Sequence, residues 1–336
     1  MSIKTIDLHC DSVSSLMDGK DLLQSVPNVN VDLPRLREGR VALQVFAAYV
    51  PASALTGRAF AIANEKLDRI DAFARSDERL APVQTAAELK AILAAEKTGI
   101  MAAVENGLAI ENSLEKLEQL RLRKVRIMTL VHSEHNSWIA SCTGTGSFCP
   151  GGDSAQGLSR FGEQVVDAMN DLGIIPDLSH ASESAFWDVI HRSKKPIIAS
   201  HSCAYGLCAA SRNLTDDQLR ALGDTGGLVG VNFFSAYLSE PCRLRYENTT
   251  GQSTPELPVP SSLIADHIDY MVNMAGEDCV ALGSDFDGIP ALPEGVSGCD
   301  FFPVLEEELR ARGYTEKRIE KIFSANFLRV LEQWDN

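Results

Sequence analysis

The sequence predicts an α/β fold, namely a (β/α)8 barrel or TIM barrel, and three observations lead to this prediction. Eight apolar runs recur along the 336 residues, and most are continuous rather than alternating, as in parallel strands that are buried on both faces. Helical patterns separate most of these runs, which is the strand–helix alternation of a barrel. No Gly-x-Gly-x-x-Gly motif follows the first run, so the alternative fold, a doubly wound open sheet, lacks its commonest nucleotide-binding motif. We therefore expect a single barrel domain over residues 1–336.

The predicted strands and helices alternate along the chain. In order, the strands are Ile3–His9, Val41–Ala47, Gly99–Glu105, Val125–Val131, Ile174–Leu178, Pro196–Ser200, Gly227–Phe233 and Cys279–Ser284. The helices are Phe60–Arg75, Ala86–Ala95, Ser113–Leu122, Phe161–Leu172, Ser182–His191, Thr215–Leu222, Ser261–Ala275, Pro303–Arg312 and Thr315–Trp334. Ser113 and Thr215 are suitable N-cap residues, and Gly173 is a C-terminal stop signal for the helix before it.

Two long segments lack a periodic pattern. Ser141–Ser159 is rich in Gly, Ser and Thr, and Ser239–Pro260 is rich in Pro, Thr and Glu. They follow the fourth and the seventh predicted strand. Because long loops in compact domains are usually functional, we expect both to form walls or a lid over the barrel mouth.

The composition narrows the classes of partner. The formal net charge is −15, which argues against nucleic acid and anionic membranes as partners. No run approaches the ~20 apolar residues that span a bilayer, and the first residues do not match a signal peptide, so we expect a cytoplasmic protein. Eight cysteines occur, and neither Cys142 with Cys149 nor Cys203 with Cys208 has the spacing of a zinc ribbon. We expect reduced thiols, with a Cys142–Cys149 disulfide left open.

Residues with chemically active side chains end most of the predicted strands. His9 and Asp11 follow the first strand two positions apart, so an extended chain presents both side chains on one face. The other strands end at or lead into further residues of this kind: Glu105, His132, His180, His201, and Asp285 with Asp287. The C-terminal ends of parallel barrel strands meet at one mouth, where such enzymes have their active sites. We therefore expect these side chains to form one cluster.

The chemistry of the cluster suits divalent metals. Imidazole and carboxylate ligands favour zinc and similar ions, and a single catalytic zinc usually takes three protein ligands. Five candidates, His9, Asp11, Glu105, His180 and His201, fit a two-metal site if Glu105 bridges the ions. Metal-dependent hydrolysis is the resulting hypothesis.

The chain resembles the membrane dipeptidase (renal dipeptidase) family, peptidase family M19 of the amidohydrolase superfamily. The resemblance covers nearly the whole chain, and its most specific motifs are Asp7–Asp11, Val104–Gly107, Leu130–His132 with Asn136, Asp177–Ser182, Ser200–Tyr205, Ser211–Asp217, Gly283–Gly288 and Ala325–Val330. It implies a barrel of the metal-dependent hydrolase type that cleaves dipeptides with two Zn²⁺ ions, with Mn²⁺ or Co²⁺ as substitutes. By position, His9 and Asp11 would bind one ion, His180 and His201 the other, and Glu105 would bridge them.

The resemblance also implies roles around the metals. His132 and Arg212 would contact substrate, and the planar guanidinium of Arg212 suits the terminal carboxylate of a dipeptide. Asp285 would transfer protons. From the strand-end ligands we further expect an attack by a metal-bridging hydroxide, with His132 stabilising the developing oxyanion. Tyr237, near the second long segment, either borders the pocket or is a core or surface residue. Relatives suggest a homodimer and often accept a D-residue at the C-terminal position.

One departure from the family pattern lies beside the bridging acid. Family members commonly have Gly after this acid, followed by another Gly and a His, whereas this chain has Glu105-Asn106-Gly107-Leu108. The pocket near the bridge is therefore expected to differ in shape. Two alternatives stay open from the sequence: hydrolysis of another small amide, a β-lactam or a cyclic amide at the same site, and a non-catalytic metal-binding scaffold.

Overall fold

A computed structural model describes residues 3–54, 57–144, 157–249 and 257–335. Its strands β1–β9 are Thr5–Cys10, Val41–Tyr49, Leu80–Pro82, Thr98–Glu105, Ile127–Thr129, Ile175–Asp177, Ile198–Ala199, Leu228–Val231 and Val280–Leu282. All pairings between them are parallel, and they run in the order β2-β1-β9-β8-β7-β6-β5-β4. A further β2–β4 pairing closes this ring of eight strands. The predicted barrel is confirmed, and every predicted strand has its counterpart.

The ninth strand was not predicted. β3 pairs in parallel with the first residues of β4, from Thr98 to Ile100, and β5 pairs with the last residues, from Ala103 to Glu105. β3 therefore shares one edge of β4 with β5 and stands outside the closed ring. It has only three residues and ends in a proline, which is too little for a recognisable apolar run.

Helices surround the ring. Helices α1–α14 are Val13–Met17, Leu33–Glu38, Ala59–Ala74, Ala86–Ala94, Leu114–Leu122, Arg160–Leu172, Glu183–Arg192, Asp216–Asp224, Ser235–Leu238, Glu240–Asn248, Ser262–Ala275, Phe302–Ala311, Glu316–Glu320 and Asn326–Asp335. The predicted helix ends hold where a cap defines them. Ser113 Oγ accepts from the Lys116 backbone N–H, Thr215 forms a capping box with Gln218, and Gly173 has a φ of 73°. None of the helices in the described ranges is long and apolar enough to cross a bilayer.

The two predicted long loops had different outcomes. Ser239–Pro260, after β8, is not wholly irregular, because α10 occupies Glu240–Asn248 within it. Only Cys242 of this helix is buried, and Arg243 makes ion pairs with Glu240 and Glu247, so the helix has no apolar stripe that would have revealed it. Most of Ser141–Ser159, after β5, lies outside the described residues. Cys149 belongs to that part of the segment, so the question of a Cys142–Cys149 disulfide also lies outside the described residues.

The predicted helix Thr315–Trp334 is interrupted. A π-helical turn over Lys321–Ala325 lies between α13 and α14. Directly after it, the buried Asn326 side chain donates hydrogen bonds to the carbonyls of Glu277 and Val280 and so fixes the start of β9. The last helix is thereby attached to the barrel by a polar contact as well as by apolar packing.

The core of the barrel is layered. One apolar cluster takes at least one side chain from each of the eight ring strands and is joined by Phe327, Val330, Leu331 and Trp334 of α14. Two positions further along several strands, on the same face, the apolar residue is followed by a polar one. These pairs are Ala103 and Glu105, Ile127 and Thr129, Ile175 and Asp177, Ile198 and Ser200, and Ala281 with Gly283 and then Asp285. A buried polar layer therefore lies on the mouth side of the apolar one.

Gly230 tests how tightly this layer is packed. A Cβ at this position would overlap the Ser200 carbonyl oxygen of the neighbouring strand, and backbone atoms cannot move away as a flexible side chain can. We expect Gly230→Ala to lower the free energy of unfolding by more than about 3 kcal/mol in urea denaturation of the metal-free protein. Gly313→Ala is the control, because it adds only left-handed backbone strain of about 1 kcal/mol. Equal losses would contradict the close packing.

Candidate metal centre

All five predicted metal ligands lie together at the barrel mouth. Glu105, the last residue of β4, is central to them. Its Oε2 lies 3.7 Å from His9 Nε2. Its Oε1 lies 3.3 Å from His180 Nε2 and 3.7 Å from His201 Nε2. Asp11 Oδ2 is 3.4 Å from His9 Nε2, so Glu105 presents one oxygen to His9 and the other to the two remaining histidines.

Near the cluster, two residues adopt backbone conformations that residues other than glycine rarely take. His180 has a φ of 71° and Asp285 a φ of 63°, and such strain concentrates at functional sites. Gly288 has a specific reason to be glycine, because a Cβ there would overlap the carboxylates of Asp11 and Asp285. The glycine lets these two carboxylates approach each other.

Burial and crowding shift the pKa values of the cluster. Burial raises the pKa of Glu105 to about 8. Burial also raises the pKa of Asp285 to about 6, and the nearby Asp11 carboxylate acts in the same direction. Burial lowers the pKa of His9, but the surrounding carboxylates, first Glu105 and then Asp11, outweigh it and raise the pKa to about 10. Burial and mutual repulsion therefore disfavour the ionised carboxylates of the cluster when no further cation is near.

His201 is held with one ring nitrogen directed at the cluster. Ser200 Oγ donates to Asp177 Oδ2 at 2.6 Å and lies 2.7 Å from His201 Nδ1. A hydroxyl has one proton, and Ser200 gives it to Asp177, so the Ser200 oxygen must accept a hydrogen bond from His201 Nδ1–H. The imidazole proton is therefore on Nδ1. The lone pair is then on Nε2, 3.1 Å from His180 Nε2. This is the tautomer that a metal ligand needs.

Asp177 is itself fixed by four hydrogen bonds. Its oxygens accept from the hydroxyls of Ser200 and Thr129 and from the backbone N–H groups of Ser179 and Ser200. Asp7 has a matching position below His9, where it accepts from the N–H and hydroxyl of Ser284 and from the Gln44 amide. The two buried aspartates brace the strand ends on which the ligands stand.

The predicted substrate residues lie beside the ligands. His132 Nε2 is 3.9 Å from Glu105 Oε1, and its ring centroid is 4.2 Å from that of His180. The Arg212 guanidinium donates to the His201 carbonyl at 3.1 Å and lies over the Tyr237 ring at 5.6 Å. Arg212 Nε is buried without a hydrogen-bond partner among the described residues, which leaves a donor for a ligand.

The two aspartates after β9 have different surroundings. Asp285 Oδ2 accepts from the Asn232 amide at 2.8 Å, and its Oδ1 lies 3.9 Å from His9 Nε2. Asp287 belongs to none of the candidate ligand groups among the described residues, and its carboxylate accepts from Ser12 Oγ and from the backbone N–H of Asn30. Asp285 therefore belongs to the cluster, whereas Asp287 holds a loop.

The residues present fit divalent metal ions. His9 Nε2 is buried without a hydrogen-bond partner in the described part of the chain, although three carboxylates surround it. Three overlapping groups have ligand atoms within 4.8 Å of one another: His9, Glu105 and His201; Glu105, His132 and His180; and His9, Asp11 and Asp285. A bound dication would satisfy the orphaned nitrogen and stabilise the ionised forms of the carboxylates.

The sequence did not reveal several neighbours of the site. Asn232 lies near the end of a predicted strand, but the strand-end rule covered histidines and acids and not this amide. Tyr49, whose ring centroid is 4.6 Å from that of His132, was missed because β2 extends two residues beyond the predicted end. Asn106, the departure from the family pattern, has a φ of 83°, and its side chain bonds Leu108 N–H and the Val50 carbonyl. These bonds stabilise a conformation that glycine would adopt freely.

Comparison with known proteins places this geometry in a family context. A model of the family described as membrane dipeptidase (peptidase family M19) matches residues 1–336. Dipeptidase 3 of Macaca fascicularis is 31% identical over 93% of this chain and 60% of its own length. A dipeptidase described as an M19 metallopeptidase has a structure that matches with a TM-score of 0.88 and 28% identity, covering 100% of both chains.

A second structure carries a bound ligand. It is a metallopeptidase from Rhodobacter sphaeroides liganded with a phosphinate mimic of the dipeptide L-Ala-D-Ala, with a TM-score of 0.87 and 27% identity over 99% of both chains. The chain spans only 58% to 65% of the length of five curated relatives that it matches.

Ser200 tests the link between Asp177 and His201. We expect Ser200→Ala to weaken Zn²⁺ binding about tenfold to a hundredfold, because His201 loses the partner that fixes its tautomer. Competition with a chromogenic chelator measures this affinity, and Ser200→Thr should restore it because the hydroxyl returns. Ser324→Ala, which removes a hydroxyl bonded to the Glu320 carbonyl in the last helical segment, is the control. An unchanged affinity in folded Ser200→Ala would show that the contact does not orient the ligand.

Proposed function

The chain belongs to the membrane dipeptidase family, peptidase family M19, and from this membership and the ligand geometry we propose that it is a zinc-dependent dipeptidase. The single observation that carries the proposal is the position of Glu105 between His9 on one side and His180 with His201 on the other. A central carboxylate with ligands on both sides supports two metal ions that share it.

The proposed metal ligands divide into two sets. His9 and Asp11 would hold one ion, His180 and His201 the other, and Glu105 both, with Zn²⁺ as the proposed metal and Mn²⁺ or Co²⁺ as substitutes. Bound metals of this kind supply a water of lowered pKa as nucleophile and polarise the scissile carbonyl. The protein then has to bind the dipeptide, orient it and move protons.

Arg212 is the proposed anchor for the terminal carboxylate. Its guanidinium is oriented by the His201 carbonyl and the Tyr237 ring, and its Nε keeps an unused donor. A planar guanidinium binds a carboxylate through two parallel hydrogen bonds. Because Arg212 contacts a ligand-bearing segment directly, the distance between the anchored carboxylate and the reacting carbonyl is short, and this supports dipeptides over longer peptides.

Asp285 is the proposed proton carrier. The Asn232 amide holds one of its oxygens, and the other faces His9 within the cluster. A carboxylate fixed in this way can accept a proton from the attacking water and give it to the departing amine. His132 lies at the partly exposed edge of the cluster, and its proposed role is to donate a hydrogen bond to the developing oxyanion.

The stereochemistry at the C-terminal residue belongs to the same proposal. The Rhodobacter sphaeroides metallopeptidase binds a mimic of a dipeptide whose second residue is D-alanine. We propose that this chain also accepts a C-terminal D-residue, since Arg212 would recognise the carboxylate that both stereoisomers share. L-Ala-L-Ala and L-Ala-D-Ala are therefore the matched substrates for a first assay.

A dipeptide screen of the metal-reconstituted protein tests the proposed function. We expect the zinc-loaded chain to release free amino acids from L,L and L,D dipeptides, and to lose this activity after chelation and regain it with Zn²⁺. Tripeptides and β-lactams in the same screen are the comparison substrates. A protein that binds two metals yet cleaves only another amide class, or nothing, would exclude the dipeptidase proposal.

Asp285→Asn tests the proposed proton carrier within that screen. The variant keeps the size and hydrogen-bonding shape of the side chain but cannot carry the proton. We expect kcat to fall about 10²–10⁴-fold with the metal content unchanged. Full activity in this variant would remove Asp285 from the mechanism without affecting the dipeptidase assignment.

Arg212→Lys tests the carboxylate anchor. The substitution keeps the positive charge but loses the planar pair of donors, so we expect KM for L-Ala-L-Ala to rise and kcat/KM to fall at least about tenfold. L-Ala-L-alaninamide lacks the terminal carboxylate and is the internal control, because the variant and the unaltered enzyme should cleave it equally slowly. Similar losses on both substrates would mean that Arg212 supports the fold of the site instead.

A further inference from the structure

A lysine lies at the edge of the site without a role in the proposed reaction. Lys66 projects from α3, and its Nζ lies 5.4 Å from the centroid of the Tyr49 ring. The Tyr49 ring is in turn 4.6 Å from that of His132, which lies beside Glu105. A continuous series of contacts therefore connects the Lys66 ammonium to the cluster of candidate metal ligands.

The Lys66 ammonium has no carboxylate partner among the described residues. Lys90, Lys116 and Lys321 each make an ion pair with a glutamate. Half-buried Lys66 makes none with any carboxylate in the described ranges, and its contact is with the aromatic ring alone. Burial lowers the pKa of Lys66 and the carboxylates of Asp11 and Glu105 oppose this, so the ammonium is close enough to the site to respond to its charge. An ammonium in this state has donors available for an incoming anion.

The topology places Lys66 across the mouth from Arg212. Tyr49 ends β2, whereas Arg212 contacts His201 and Ser202, which follow β7. In the closed ring, β2 and β7 are separated by three strands in either direction, so they stand on opposite walls. A dipeptide whose carboxylate lies on Arg212 and whose amide lies at the cluster extends its amino-terminal residue toward the β2 wall.

We propose that Lys66 is a specificity-determining residue that favours dipeptides with a carboxylate in the side chain of the amino-terminal residue. The proposal rests on the dipeptidase function proposed above and names its preferred substrate class. An aspartyl or glutamyl side chain would accept hydrogen bonds from the Lys66 ammonium, while a lysyl or arginyl side chain would be repelled by it. The Tyr49 ring limits the freedom of the ammonium and so lowers the cost of holding it near the substrate.

Three dipeptides that differ in the charge of the first side chain test this preference. We expect the zinc-loaded enzyme to favour L-Asp-L-Ala over L-Asn-L-Ala about tenfold in kcat/KM, mainly through KM, with L-Lys-L-Ala as the poorest substrate. The preference for L-Asp-L-Ala should shrink with added KCl because the proposed contact is partly exposed to solvent.

Variants separate the charge of Lys66 from a structural role. Lys66→Met should lower the Asp-to-Asn ratio to about one because kcat/KM falls much more for L-Asp-L-Ala than for L-Asn-L-Ala, and Lys66→Arg should keep most of the preference. Lys317→Met, on exposed α13, is the control for loss of a surface lysine. No preference in the unaltered enzyme, or an equal loss on all three substrates in Lys66→Met, would overturn the proposal.

The test remains distinct from that of the dipeptidase function. Absence of turnover with every dipeptide would reject the dipeptidase assignment itself. Calorimetric binding of L-Asp-L-Ala and L-Asn-L-Ala to the zinc-loaded Asp285→Asn variant measures the charge preference without turnover. Tighter binding of the acidic dipeptide, abolished by adding Lys66→Met, supports the role of Lys66, and equal binding of the two dipeptides rejects it.

Discussion

The structure depends on how it accommodates carboxylates that are buried near one another at the end of a barrel. Asp7 and Asp177, in the polar layer, each accept three or four hydrogen bonds from hydroxyl, amide and backbone donors. Glu105, nearer the mouth, is surrounded mainly by imidazoles and other carboxylates. A buried acid with a full set of donors is structural, whereas a buried acid without them needs a nearby cation to stay ionised. This contrast distinguishes the bracing residues from the proposed ligands without reference to any relative.

The alternation of side chains along the strands explains how the two sets stay in place. Residues two positions apart share a face, so the position of each polar side chain is determined by the apolar residue before it. Ile198 packs in the core, Ser200 therefore faces Asp177, and His201 follows with its ring fixed by Ser200. Packing at the bottom of the barrel thus controls ligand orientation at the top. The same reasoning explains Gly230 and Gly283, since a neighbouring backbone occupies the space that their side chains would need.

The sequence predicted the barrel and the residues of the cluster for the same physical reason. Parallel strands bring their C-terminal ends together, so a strand-end histidine or acid is predictable from an apolar run and one residue after it. Asn232 is an amide within a predicted strand and falls outside this rule, while Tyr49 depends on where a strand ends, which is the least certain feature of a sequence pattern. Lys66 and Ser200 were not predictable in this way. Their roles depend on a contact between a helix and a strand end, and on which ring nitrogen holds a proton, and neither leaves a periodic pattern.

The two cations around the cluster have contrasting surroundings, and this bears on how a zwitterion would be oriented. Arg212 lies among His201, Ser202 and Tyr237, where no described carboxylate forms an ion pair with it. Lys66 stands on the opposite wall, but there Asp11 and Glu105 contribute negative potential as well. A dipeptide carboxylate is therefore more stable beside Arg212, and its ammonium is more stable on the side of the acids, even though the chain as a whole is strongly acidic. Under the dipeptidase function proposed above, the field across the mouth would orient the substrate before any side chain is recognised.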